Sequence, residues 1–178
     1  MITANEALER LVRGNAAYVE SGAATGDFSE RAREITSPGQ HPYAVIIACA
    51  DSRVVPEAIF SAGIGELFVI REAGNVIGHH EFGSIEYAIS HLGCKLVVVL
   101  GHTHCGAIYS AIADHSEGHT SYLIDAIQEA IGDETDHRAA AKLNAIAGVN
   151  RIKTVLSLLD FNAVAAVYDI ESGKVEWL

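Results

Sequence analysis

At 178 residues the chain is sized for one domain, residues 1–178, that buries roughly 70% of its unfolded surface. Lys and Arg number 12 and Asp and Glu 23, a formal net charge of −11 that argues against nucleic acid or an anionic membrane as partner. No apolar run is long enough to span a bilayer. The early acidic residues of MITANEALERLVRGN do not fit a secretory signal, and an odd count of 3 cysteines without scaffold spacing points to a reducing, cytoplasmic setting with metal ligation.

Residues 3–20 read as an amphipathic helix, with Thr3 and Glu6 at capping-box spacing and Leu8, Leu11, Val12 and Ala16 at helical intervals. Residues 21–42 are richer in Gly, Ser and charge, with a short helix expected near 29–34. The 1–42 arm has little apolar content in its second half, so it is expected to pack on a partner subunit. An apolar content of 49%, high for so acidic a chain, fits such an interface.

A buried strand is expected over 43–48, then a short helix over 57–60 opened by Pro56. A second strand covers 67–70. A helix runs from about 81 to 92, closed by Gly93, and a third strand covers 95–100. Helices follow from 105 or 106 to 113, over 121–131 and over 137–159. A fourth strand is expected over 162–170. Glu171-Ser172-Gly173-Lys174 is a hairpin turn into an edge strand at 175–178. Strands that alternate with helices give an α/β fold: a mostly parallel four-stranded sheet flanked by helices, with a short antiparallel C-terminal edge strand.

Two of these strands end in chemistry. Val45-Ile46-Ile47 leads into Cys49, Asp51 and Arg53, and Leu96–Leu100 leads into Gly101-His102-Thr103-His104-Cys105-Gly106. Charged groups at the end of a buried strand must be paired or bound, and open parallel sheets bind ligands outside the carboxyl ends of their strands. Cys49, His102 and Cys105 form a thiolate–imidazole–thiolate set that Zn²⁺ accepts, and catalytic zinc takes three protein ligands and keeps a fourth position open. Asp51 has two options. It occupies that fourth position in a closed state, or it turns to Arg53, two residues on, and stays ionised beside the metal.

Plainer readings stand next to these. Cys49 alone is more often a core thiol, and a wholly structural zinc site prefers a fourth Cys or His. Cys94 reads as packing. His104 points away if its neighbours converge, and His79, His80, His115, His119 and His137 read as solvated surface. Ser52 lacks the elbow of a serine hydrolase, and Gly63-Ile64-Gly65 lacks the third glycine of a dinucleotide fingerprint.

C-x-D-x-R followed about fifty residues on by H-x-x-C resembles the β-class carbonic anhydrases. The likeness takes in Gly39-Gln40, CADSRVVPE, GELFVIREAGN, GSIEYA, VVVLGHTHCGA and YDIESGKVEWL. It implies Zn²⁺ on Cys49, His102 and Cys105, with Asp51 and Arg53 as the catalytic dyad. The implied reaction is reversible hydration of CO2 to bicarbonate and a proton through zinc-bound hydroxide. Gln40, Phe68, Ala73, Tyr87 and the Gly106 N–H match positions that line the substrate pocket. Members form homodimers or larger assemblies with pockets at the interface, so Gln40, Phe68 and Tyr87 are expected from the second subunit. Glu72 stands where the family usually has Asn. Two other functions fit the same residues: hydrolysis of CS2 or COS, and a catalytically silent zinc-binding scaffold.

Overall fold

The strands of the computed structural model, which describes residues 2–178, are β1 (Ala44–Ala48), β2 (Leu67–Arg71), β3 (Leu96–His102), β4 (Asn162–Tyr168) and β5 (Val175–Trp177). The helices are α1 (Ala4–Ser21), α2 (Glu30–Thr36), α3 (Pro56–Ile59), α4 (His79–Ser90), α5 (Gly106–Ile112), α6 (Ser121–Ile131) and α7 (His137–Val155). One sheet runs β2-β1-β3-β4-β5, parallel throughout except for the antiparallel β4–β5 pair. This is the α/β architecture the sequence pattern implies.

β1 and β3 are buried along their whole length, as apolar runs between two helical layers must be. Alternation sorts their side chains. Ile46, Ala48, Val98 and Leu100 face α1, with Ala7, Leu11 and Phe60. Val45, Ile47, Val97 and Val99 face α4 and α7, with Phe82, Ile85, Ala145 and Val149. A third apolar cluster, with Ile108, Ile124, Ile127 and Ala140, joins α5, α6 and α7 around Cys49 and Cys105.

α1 starts as the capping box foretells, Thr3 Oγ1 accepting from the Glu6 N–H at 3.2 Å and the Thr3 N–H donating to Glu6 Oε2 at 2.7 Å. Ala7 and Leu11 are fully buried on the chain's own sheet. The first half of the 1–42 arm is therefore packed at home, because its apolar stripe matches the sheet face beside it. α2 buries none of its residues. A Cβ on Gly14 would strike the backbone of Phe60, so glycine there lets α1 close on the segment after α3. The next residue, buried Asn15, donates from Nδ2 to the carbonyls of Ile59 (3.1 Å) and Gly173 (2.9 Å) and accepts from the Val175 N–H (2.9 Å).

Element boundaries differ from expectation where side chains decide them. α4 begins at His79 rather than 81, since Glu81 reaches back to accept the Gly78 N–H at 2.8 Å. α7 stops at Val155 rather than 159. β3 extends to His102 because Gly101 and His102 keep pairing with Val167 and Tyr168.

Candidate metal centre

Parallel pairing sets Ala48 level with Leu100, so Cys49 leaves β1 beside the last residues of β3. The chain then turns sharply at His104 (φ 57°) and places Cys105 at the start of α5. The ligand atoms of Cys49, His102 and Cys105 all lie within 4.8 Å of one another, and all three residues are buried. Two sulfurs and an imidazole in one buried cluster are a donor set that holds a metal ion.

His102 supplies the clearest test of fit. Its Nδ1 lies 2.8 Å from the Thr103 carbonyl. A carbonyl only accepts, so Nδ1 carries the proton and Nε2 presents a bare lone pair. That Nε2 is buried and has no hydrogen-bond partner, an arrangement that costs stability unless something else binds it. A metal ion bound between the sulfurs satisfies it.

Cys49 Sγ accepts N–H groups from Gly74 at 3.2 Å and Asp51 at 3.4 Å. The Cys105 thiol, hydrogen-bonded to Cys49, pulls the Cys49 pKa down to about 4 with help from those N–H groups. The neighbouring Cys49 and burial push Cys105 far above the usual thiol range.

Asp51 has turned to Arg53. Oδ1 accepts the Arg53 backbone N–H and Nε–H, each at 2.9 Å, and Oδ2 accepts from the terminal guanidinium nitrogen at 2.7 Å. The fork holds the carboxyl well below the ordinary carboxylate range. Arg53 also donates to the His104 carbonyl at 3.0 Å, which ties the loop after β1 to the loop after β3. Arg71 clamps the same segment from below, donating to the carbonyls of Cys49 (3.3 Å) and Asp51 (2.7 Å). Sequence reasoning noticed Arg71 only as part of a motif, since its acceptors are backbone atoms.

The pocket candidates divide. Ala73 opens the turn whose Gly74 N–H meets Cys49, and Gly106 follows Cys105 directly. Glu72 accepts the Ala73 N–H at 3.2 Å and so caps this turn. Phe68 pairs with Val45, four residues before Cys49, and so lies about 13 Å back along the strand direction. Its ring sits 6.3 Å from that of Tyr87, which is 47% exposed and stacks on His91 at 5.0 Å. Gln40 is exposed ahead of β1, at the far end of the sheet. Within one chain Gln40, Phe68 and Tyr87 do not meet the metal cluster, because strand register places them at another level.

His104 faces outward, its ring near Tyr109 Oη (3.3 Å) and Glu171 (3.5 Å). His79, His80, His115, His119 and His137 are exposed. Cys94 is buried away from the cluster with its thiol on the Pro42 carbonyl, and burial raises its pKa to about 11.

Known proteins are similar to this chain. The carbonic anhydrase family model matches residues 44–175. Carbonic anhydrase 2 of Mycobacterium tuberculosis is 45% identical over 112 residues, covering 63% of this chain and 54% of that protein. The chain thus spans about half the length of that curated relative. The carbonic anhydrase of Pseudomonas aeruginosa is 37% identical over 163 residues, 78% of this chain and 74% of that protein. The β-carbonic anhydrase of Coccomyxa superposes with a TM-score of 0.75 at 25% identity, over 96% of this chain and 86% of that one. On the family match and the shared fold, the chain belongs to the β-class carbonic anhydrases.

Proposed function

We infer that the chain is a zinc enzyme that reversibly hydrates CO2 to bicarbonate and a proton. One observation carries this reading: a buried three-donor set lies beside a carboxylate whose two oxygens are taken up by Arg53. A purely structural zinc site closes with a fourth Cys or His, whereas three donors leave room for a reacting water.

Cys49, His102 and Cys105 would hold the ion, which when bound would supply the Lewis acidity that brings a water's pKa from 15.7 towards about 7. Asp51 supplies direction. Arg53 keeps its carboxyl ionised, so it accepts a hydrogen bond from the nucleophile and aims a lone pair at the carbon of CO2 without taking the proton. Arg53 and Arg71 fix its position through the loop contacts above. The released proton passes to solvent.

Ala73 and the Gly106 N–H line the slot from this chain, and Gln40, Phe68 and Tyr87 line it from a second copy. The exposure of Tyr87 and the distance of Phe68 from its own cluster support a homodimer with shared pockets. The absence of any membrane-length apolar helix among the described residues is compatible with a cytoplasmic site of action.

Stopped-flow CO2 hydration by the zinc-loaded protein tests the proposal, with Asp51→Ala as the control. Activity in the parent and its loss in the variant are expected. A zinc-replete protein with no hydration between about pH 7 and 9 would be a silent scaffold. Turnover of CS2 or COS without CO2 hydration would name the other substrate.

A further inference from the structure

α7 buries Ala140, Ala141, Ala145, Val149 and Ile152, and in the same stripe it buries Asn144, which is 7% exposed. A side-chain amide among apolar neighbours is costly unless bonded. Asn144 Nδ2 donates to the Gly74 carbonyl at 2.8 Å. Gly74 in turn directs its own N–H at Cys49 Sγ, 3.2 Å away. The turn is left-handed at Gly74 (φ 66°). A Cβ there would come within 2.6 Å of Ile127 and 3.1 Å of Ala107, so only glycine fits, and glycine is the residue least able to hold its own dihedrals.

We propose that Asn144 is a positioning residue for the metal centre, gripping Gly74 from behind so that its N–H stays on the Cys49 sulfur. This rests on reading Cys49, His102 and Cys105 as metal ligands. With the carbonyl fixed by α7 and the N–H fixed by sulfur, both rotations of Gly74 are set. The anchor is stiff because Ala141 and Ala145, on either side of Asn144, are packed into the core. Hydrogen bonds to a ligand orient it and tune its donation to the metal. The N–H stabilises the thiolate form of Cys49 and holds the sulfur where the ion needs it.

Asn144 also lines a cleft of about 430 Å³ with Val76, Ala130 and Gly148, so a leucine of similar shape has room. Asn144→Leu removes the donor and keeps the bulk. Zinc affinity, measured by chelator competition at neutral pH, should weaken about tenfold. In the cobalt-substituted protein the thiolate-to-metal charge-transfer band should move to lower energy. Asn144→Gln, which retains a donor, should recover most of both. Val149→Ala, on the same helix but buried in the cluster with Val97 and Val99, should lower the melting temperature and leave both readouts at parent values.

Zinc affinity within twofold of the parent in Asn144→Leu overturns the proposal, as does an equal loss in Val149→Ala. Should the leucine variant fail to fold, Asn144→Ala, which also lacks a donor, carries the same expectation. Neither readout uses CO2, so a protein that binds zinc and hydrates nothing sinks the proposed activity and leaves this inference standing.

Discussion

At the carboxyl ends of β1 and β3 the polar groups are held by other parts of the same chain, whereas along the edge formed by β2 and α4 the Tyr87 ring stands half in solvent beside a half-buried Phe68. Cys49 has two N–H donors, Asp51 has a fork from Arg53, and Arg53 reaches the opposite loop. At the edge Phe68 is half-buried and Tyr87 is 47% exposed, its ring beside those of Phe68 and His91. The first region is complete in one copy. The second has the composition of an interface core, where aromatic residues are enriched. The difference separates the residues that could hold an ion, which one chain brings together, from the enclosure of the substrate, which we assign to two.

The largest effect should come from breaking the complete region. Cys49→Ser or His102→Ala should abolish zinc retention, read as metal content after dialysis, and strip activity with it. Next, Asp51→Asn should keep zinc and lower kcat/KM for hydration by about 10²–10⁴-fold, since orientation is lost while the ligands remain. Retained zinc together with unchanged turnover would remove Asp51 from the mechanism.

The edge should respond more mildly and in trans. Tyr87→Ala should keep zinc and reduce hydration by about tenfold. Mixing Tyr87→Ala chains with Asp51→Asn chains should restore activity, because a mixed dimer holds one pocket with both native parts. Failure of the mixture to gain activity over either variant would place the edge outside the site.

The smallest effect concerns acid. The Asp51 pKa is depressed chiefly by its hydrogen bonds from Arg53, so the stability it adds is present above its unfolded value near 3.9 and is lost as pH falls through its lower folded value. The difference in melting temperature between the parent and Asp51→Asn should be constant above about pH 5 and should shrink below about pH 4.

Much of this was legible because it is local. Continuous apolar runs marked β1 and β3, and the short spacings Cys49–Asp51–Arg53 and His102–Cys105 placed each half of the cluster on one turn. Their meeting followed from parallel topology. The hidden parts are long-range or made by backbone. Asn144 meets its acceptor across 70 residues, and nothing near it in sequence announces Gly74. Its one signal is an amide at a core position of an otherwise apolar helical stripe. Arg71 acts on carbonyls, which leave no trace in residue identity. The division of the pocket candidates depends on which strand level each occupies, a property of register.

The Asn15 amide has a consequence for how the chain is made. Its side-chain oxygen meets the Val175 N–H only after 160 further residues have been synthesised. Until then α1 can lay its apolar stripe on a growing sheet and reach the Ile59 carbonyl, but its side-chain oxygen at Asn15 lacks the Val175 partner. The β4–β5 hairpin works as a latch. A nascent chain stalled short of it should leave that helix open to proteases which the finished protein resists.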